Sequence, residues 1–187
     1  YKRQVLTGPK RAVQGQTTII VGGSYDAFEK IRPILNKFTS KNIYAGPLGH
    51  GTICKLISNM MIFGVNHMVS EGLTLGVKAG LDLNVILEAG SGGLGVLSEV
   101  RRATLADSAF RGNYDDPRFT LELSSKDIGL ALNLAQEHQV PLPFASQVQQ
   151  FIIQGINRGW ADKDYTIPFM LQEERAGIKV RADLPGE

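Results

Sequence analysis

The sequence predicts a mainly α chain: a small α/β segment over residues 1–47, then an all-helical domain over 48–187 organised around one long helix. Three observations carry this expectation. The β-branched run Thr17-Thr18-Ile19-Ile20-Val21 ends at Gly22-Gly23, as a buried strand and its turn would. The stretch from 52 to about 79 is apolar through most of its length and stops at Gly80, the residue type favoured just past a helix. Beyond Gly51 the segments have helical length and spacing, separated by breaks such as Val140-Pro141-Leu142-Pro143.

Taken in order, the strand at 17–21 leads to Ser24, a capping residue, and to a helix from Tyr25 to about Phe38. Phe28, Ile31, Leu35 and Phe38 then share one face. Pro33 predicts a kink or a restart, because proline lacks the N–H and its ring crowds the preceding turn. Lys41-Asn42-Ile43-Tyr44-Ala45 reads as a second short strand. The long helix follows, and so hydrophobic a helix must be covered on most sides. Another helix starts behind Asp82, and Ala89-Gly90-Ser91-Gly92-Gly93-Leu94-Gly95 interrupts it. That glycine run follows a helix rather than a strand, so it reads as a hinge lining a pocket and not as a phosphate loop. Stretches near 96–106, 120–138, 143–158 and 164–178 have helical or loop character, with a turn at Asp115-Asp116-Pro117.

At 187 residues, 43% hydrophobic and 20% charged, the composition is that of a globular chain with length enough for a core. Nine of the 20 Lys/Arg but only two of the 18 Asp/Glu lie in residues 1–60, dispersed rather than clustered. Such spacing reads as solvated charge; without a basic–aromatic repeat or recognised module, no nucleic-acid partner is expected. Cys54 is the only cysteine, which excludes an internal disulfide, and it reads as a small buried hydrophobe. His50, His67 and His138 lack ligand spacing, so no metal site is expected. No run of some 18 apolar residues and no secretory signal appear, so the expectation is a soluble cytoplasmic protein without membrane association.

The segment Gly46-Pro47-Leu48-Gly49-His50-Gly51-Thr52-Ile53-Cys54-Lys55-Leu56-Ile57-Ser58-Asn59 carries the chemistry. Lys55 and Asn59 stand one turn apart on one helix face. An ammonium among core-type neighbours needs a reason, and proton exchange is one, since burial lowers a lysine's pKa. Gly49 and Gly51 allow close backbone approach, and the helix start behind them offers N–H groups to an anion. A plain helix-opening turn explains the glycines almost as well. Lys126-Asp127 precedes the apolar run Ile128, Leu130, Ala131, Leu132 and Leu134, so Asp127 is read as an acid favouring a helix N-terminus.

Several motifs in one order resemble the β-hydroxyacid dehydrogenase family, which includes 3-hydroxyisobutyrate dehydrogenase and tartronate semialdehyde reductase. They are Ala12-x-x-Gly15 with Thr18-Ile19-Ile20-Val21-Gly22-Gly23, then Gly46-Pro47-x-Gly49-x-Gly51-x-x-x-Lys55-x-x-x-Asn59. Phe119-x-Leu121-x-Leu123-x-x-Lys126-Asp127 and Gly159-x-x-x-x-Asp164 follow. The resemblance implies that 1–47 is the remnant of a Rossmann-type dinucleotide-binding domain and 48–187 a helical domain for substrate closure and oligomerisation, as homodimer or homotetramer. It implies an NAD(P)-dependent oxidoreductase moving a hydride between a nicotinamide cofactor and a small β-hydroxy acid such as 3-hydroxyisobutyrate or a tartronate-semialdehyde-type substrate. Lys55 is then the general acid/base, Asn59 and Gly8 contact substrate, and Lys126, Gly49 and Gly51 contact cofactor.

Two departures qualify the match. No strand followed by a G-x-G-x-x-G turn is present, and NAD and NADP stay open because the residue that reads the ribose 2′ position belongs with that turn. The family's D-x-P-V-S-G-G loop corresponds to Lys2-Arg3-Gln4-Val5-Leu6-Thr7-Gly8, where Leu6 and Thr7 replace the serine and first glycine. The alternative is a non-catalytic helical assembly or substrate-closing module that does not bind cofactor by itself.

Overall fold

In the computed structural model, residues 2–5 (backbone only), 13, 16–91 and 104–182 are described. A three-stranded sheet comes first, in the order β1 (Lys2–Val5), β2 (Thr18–Gly22), β3 (Lys41–Gly46). β1 runs antiparallel to β2, with Lys2 opposite Gly22 and Val5 opposite Ile19. β2 runs parallel to β3, with Ile20 opposite Ile43 and a register shift between Val21 and Gly22. β1 corrects the expectation of a loop: its charged tetrapeptide has no strand pattern of its own and is set by pairing with β2.

Between β2 and β3 lies α1 (Tyr25–Leu35), started by Ser24, whose hydroxyl accepts from Ala27 N at 3.5 Å. Phe28 and Leu35 bury its apolar face against Ile19 and Val21, and Ile31 and Tyr44 pack around them. Pro33 does not restart the helix, which is continuous through it; it sits in the last turn, two residues before the end. Phe38 therefore falls in the turn that follows and is exposed, not on the helix face.

From β3 the chain enters α2 (His50–Lys78), a 29-residue helix that ends with Gly80 at φ +91. Leu56, Phe63, Val69 and Leu73 face inward, but Ile57, Met61, Met68 and Leu75 are exposed. The expectation of cover on most sides is thus unmet among the described residues. Cys54 lies on that open side and is exposed, correcting its reading as a buried hydrophobe. No helix of the described residues is long and apolar enough to cross a membrane.

Around α2 pack α3 (Leu83–Ser91), α4 (Leu121–Glu137), α5 (Pro143–Asn157) and α6 (Phe169–Ala176). Asn84 N donates to Asp82 Oδ1 at 2.7 Å at the opening of α3, which runs through Ala89 and Gly90 to Ser91 rather than breaking at them. Thr120 caps α4 through Leu123 N at 3.3 Å. The span 164–178 is helical only in α6; residues before it turn around Asp164, whose carboxylate accepts from the amides of Arg118 at 3.1 Å and Thr166 at 3.0 Å. The core joins Phe63 and Leu73 of α2 to Leu87, Ile128, Val148 and Phe169.

Candidate active site

Two elements build the site. α2 presents Lys55 and Asn59 one turn apart, and α4 presents Lys126 and Asp127. The helices are held together below the site by an aromatic cluster. Phe63 lies 6.3 Å from Phe119 and 5.8 Å from Tyr165, centroid to centroid. The start of α4 is tied down further by Leu121 N donating to Lys163 O and Glu122 N to Ala161 O, both at 2.9 Å. Asp164 of the Gly159-x-x-x-x-Asp164 motif buttresses this junction: it is buried, and Thr166 Oγ1 donates to it at 2.6 Å.

Asn59 Nδ2 donates to Asp127 Oδ2 at 2.8 Å, and Lys126 Nζ pairs with Asp127 Oδ1 at 3.3 Å. The motifs around Lys55 and Lys126 therefore meet on one carboxylate. Asp127 is only 4% exposed, whereas Lys126 is 57% exposed and keeps its ammonium in solvent. Asp127 is the seventh residue of α4, too deep to serve the helix N-terminus, so the reading of it as a helix-start acid is corrected. A signal was present: Leu121, Ser124, Ile128 and Ala131 are buried at helical spacing, and Asp127 falls on that inner face. Lys55 is half-buried rather than enclosed, and among the described residues it forms no ion pair.

Gly49 takes φ +97 at the N-cap of α2, in open space. Gly51 is buried against the sheet: a Cβ there would lie 3.2 Å from Ile20 O and 3.3 Å from Gly22 N. Three of the first four helix amides are used within the turn. His50 N donates to Pro47 O, and Thr52 N and Ile53 N to Gly49 O. Beside Gly49 opens a groove of about 440 Å³ lined by Leu48, Thr52, Ile53, Leu56, Leu130 and Leu134 among others; Lys55, Asn59 and Lys126 do not line it.

Gly8 and the Leu6-Thr7 departure lie outside the described residues, as does Gly92 to Gly95. The spacing G-x-G-x-x-G does occur once, at Gly90, Gly92 and Gly95, but behind helix α3 and not behind a strand. Among the described residues no group of three His, Cys, Asp or Glu could hold a metal.

The sequence model described as the NAD-binding domain of NADP-dependent 3-hydroxyisobutyrate dehydrogenase matches residues 49–170, which hold every element of this site. The chain is similar to 2-(hydroxymethyl)glutarate dehydrogenase of Eubacterium barkeri, 30% identical over 94% of this chain and 58% of that protein. It is also similar to 3-hydroxyisobutyrate dehydrogenase of Pseudomonas aeruginosa, 32% identical over 76% of this chain and 49% of that one. Among solved structures, 3-hydroxyisobutyrate dehydrogenase from Salmonella typhimurium superposes with a TM-score of 0.77 at 24% identity, covering 90% of this chain and 59% of that one, a likeness of fold. The chain spans about half the length of the curated relatives it matches.

Proposed function

The chain belongs to the NAD-binding 3-hydroxyisobutyrate dehydrogenase family, and from that premise we propose that it forms the helical part of an NAD(P)-dependent oxidoreductase acting on a small β-hydroxy acid. On this reading residues 48–187 are the substrate-closing and oligomerisation domain, and 1–47 belong with a nucleotide-binding part. The observation that carries it is the junction of Asn59, Asp127 and Lys126 across two helices, one turn from Lys55.

The residues present fit one end of a dinucleotide. Lys126 offers an exposed cation beside the site, but neither strand-to-helix turn among the described residues, at Gly22-Gly23 or at Gly46 to Gly51, has the G-x-G-x-x-G spacing of a pyrophosphate cradle. When bound, the nicotinamide would accept or give the hydride. The chain's own part is the proton. As the carbinol carbon loses hydride, its hydroxyl proton passes to the unprotonated amine of Lys55; in reduction, the ammonium returns it to the forming alkoxide. Asn59 holds the hydroxyl or Lys55 in line, and Gly49, in open space at the start of α2, lets the backbone come close to the cofactor while Gly51 seats that turn on the sheet. Gly8 is the further substrate contact that the resemblance implies.

Lys55→Ala in the active oxidoreductase tests this. Loss of a general acid/base costs about 10²- to 10⁴-fold in turnover, so a rate within a few-fold of wild type contradicts the proposal.

The second reading, a module that does not bind cofactor by itself, is favoured by the amides of His50, Thr52 and Ile53 being spent inside the turn. Both readings share one expectation. Calorimetric titration of this 187-residue chain with NADH and NADPH should show weak binding or none, and micromolar affinity for either would overturn it.

A further inference from the structure

Asn59 is a planar amide with a donor on one side and an acceptor on the other, so its use in a site depends on which side faces in. A carboxylate presents acceptors only. Nδ2 must therefore be the atom that faces Asp127, and the 2.8 Å contact is with Nδ2. Asp127 itself cannot swing away. It is 4% exposed, set on the inner face of α4 between Ser124 and Ile128, and its other oxygen is engaged by Lys126. Among the described residues nothing donates to Asn59 Oδ1, which the fixed nitrogen turns away from α4.

We propose that Asp127 is a positioning residue, whose buried carboxylate locks the Asn59 amide so that it offers the active site an oxygen acceptor. This rests on the oxidoreductase reading and sharpens it. An acceptor at Asn59 takes a hydrogen from Lys55, from its ammonium or from an N–H of its amine, which leaves the single hydroxyl hydrogen of the substrate for the amine's lone pair. It repels a carboxylate, so the acid group of the substrate is held elsewhere. Asn59 thus reads the reacting end of the molecule. An amide free to rotate would spend part of its time presenting N–H groups, which cannot accept from Lys55 and so leave its amine unaligned.

The test has two arms. In the active oxidoreductase, Asp127→Asn keeps the side chain's size but lets it face either end of the Asn59 amide. Turnover should fall on the order of tenfold to a hundredfold, the cost of a misaligned site. Asn59→Ala/Asp127→Asn should be no slower than Asn59→Ala alone, since both changes remove one function. Multiplying losses, wild-type turnover in Asp127→Asn, or a loss confined to the cofactor's KM through Lys126 would each overturn the proposal.

The other arm needs no turnover and so separates this idea from the oxidoreductase reading. In the ¹⁵N-labelled chain, the Asn59 side-chain NH₂ signals are assigned by their disappearance in Asn59→Ala. They should exchange with water more slowly than those of exposed Asn133, and the protection should vanish in Asp127→Asn. If Asp127→Asn does not fold, the wild-type signals decide alone: exchange as fast as Asn133 refutes the lock. If Lys55→Ala leaves turnover intact while the Asn59 protection stands, the oxidoreductase reading fails and the lock survives it.

Discussion

Gly49 and Gly51 are glycines for different reasons. Gly49 needs its conformation: at φ +97 an L side chain is strained although nothing lies within 4 Å. Gly51 needs its size, because a Cβ would press on the backbone of Ile20 and Gly22, which cannot swing aside as a side chain could. Gly51→Ala should therefore destabilise by about 1–3 kcal/mol, the usual cost of overpacking, and Gly49→Ala by about 1–2 kcal/mol, that of a left-handed residue. Urea unfolding of both variants checks this, and a neutral Gly51→Ala would show that α2 does not rest on β2 as described. His67 makes a second case. Burial chiefly lowers its pKa from 6.5; the Phe63 carbonyl works against this, and Arg175 adds to it. Nδ1 donates to Phe63 O at 2.9 Å, the ring stacks on Phe151 at 5.3 Å, and Nε2 is buried with no partner among the described residues. With the folded pKa depressed, its contribution is present above pH 6.5 and is lost as pH falls through the folded value. Stability measured against pH should drop below 6.5 more steeply in wild type than in His67→Gln; parallel curves would remove His67 as the cause.

At the scale of elements, the open side of α2 is the feature that packing among the described residues does not explain. Ile57, Met61, Met68 and Leu75 recur at spacings that keep them on one side of the helix, and Met68 and Leu75 are 55% and 71% exposed. The oligomer proposed for this family member would cover them. Met68→Lys/Leu75→Lys should then shift the sedimenting mass from dimer or tetramer to monomer while leaving the helical circular dichroism intact. An unchanged mass would move the subunit contact to another face. Most elements were legible in the sequence because their cues are local: Ser24 and Asp82 at helix starts, Gly80 past an end, Pro143 at a first turn. What escaped depended on partners distant in the chain. β1 exists through its pairing with β2, and Phe38 left its face because α1 ends near Pro33. Exposure of Cys54 could not be read from an apolar neighbourhood, since an apolar run does not say which of its sides is covered.

For the molecule as a whole, the pairing of a lysine–asparagine turn with a lysine–aspartate helix start was legible as two motifs, and the resemblance joined them into one site. Their physical link was not. Asp127 looked like a helix-terminal acid because the apolar run begins after it, whereas α4 begins six residues earlier and carries it inward. The half-buried setting of Lys55 likewise departs from the enclosed ammonium that its apolar neighbours in the sequence suggested. The central claim is that the Lys55 amine itself moves the proton, and chemical rescue measures that most directly. Turnover of Lys55→Ala in the active oxidoreductase is followed as methylamine or ethylamine is added. The account predicts a rate that rises with free amine, by roughly tenfold or more of the 10²- to 10⁴-fold deficit, and no such response in wild type. A Lys55→Ala enzyme whose rate ignores every small amine, while still binding substrate and cofactor as wild type does, would contradict it.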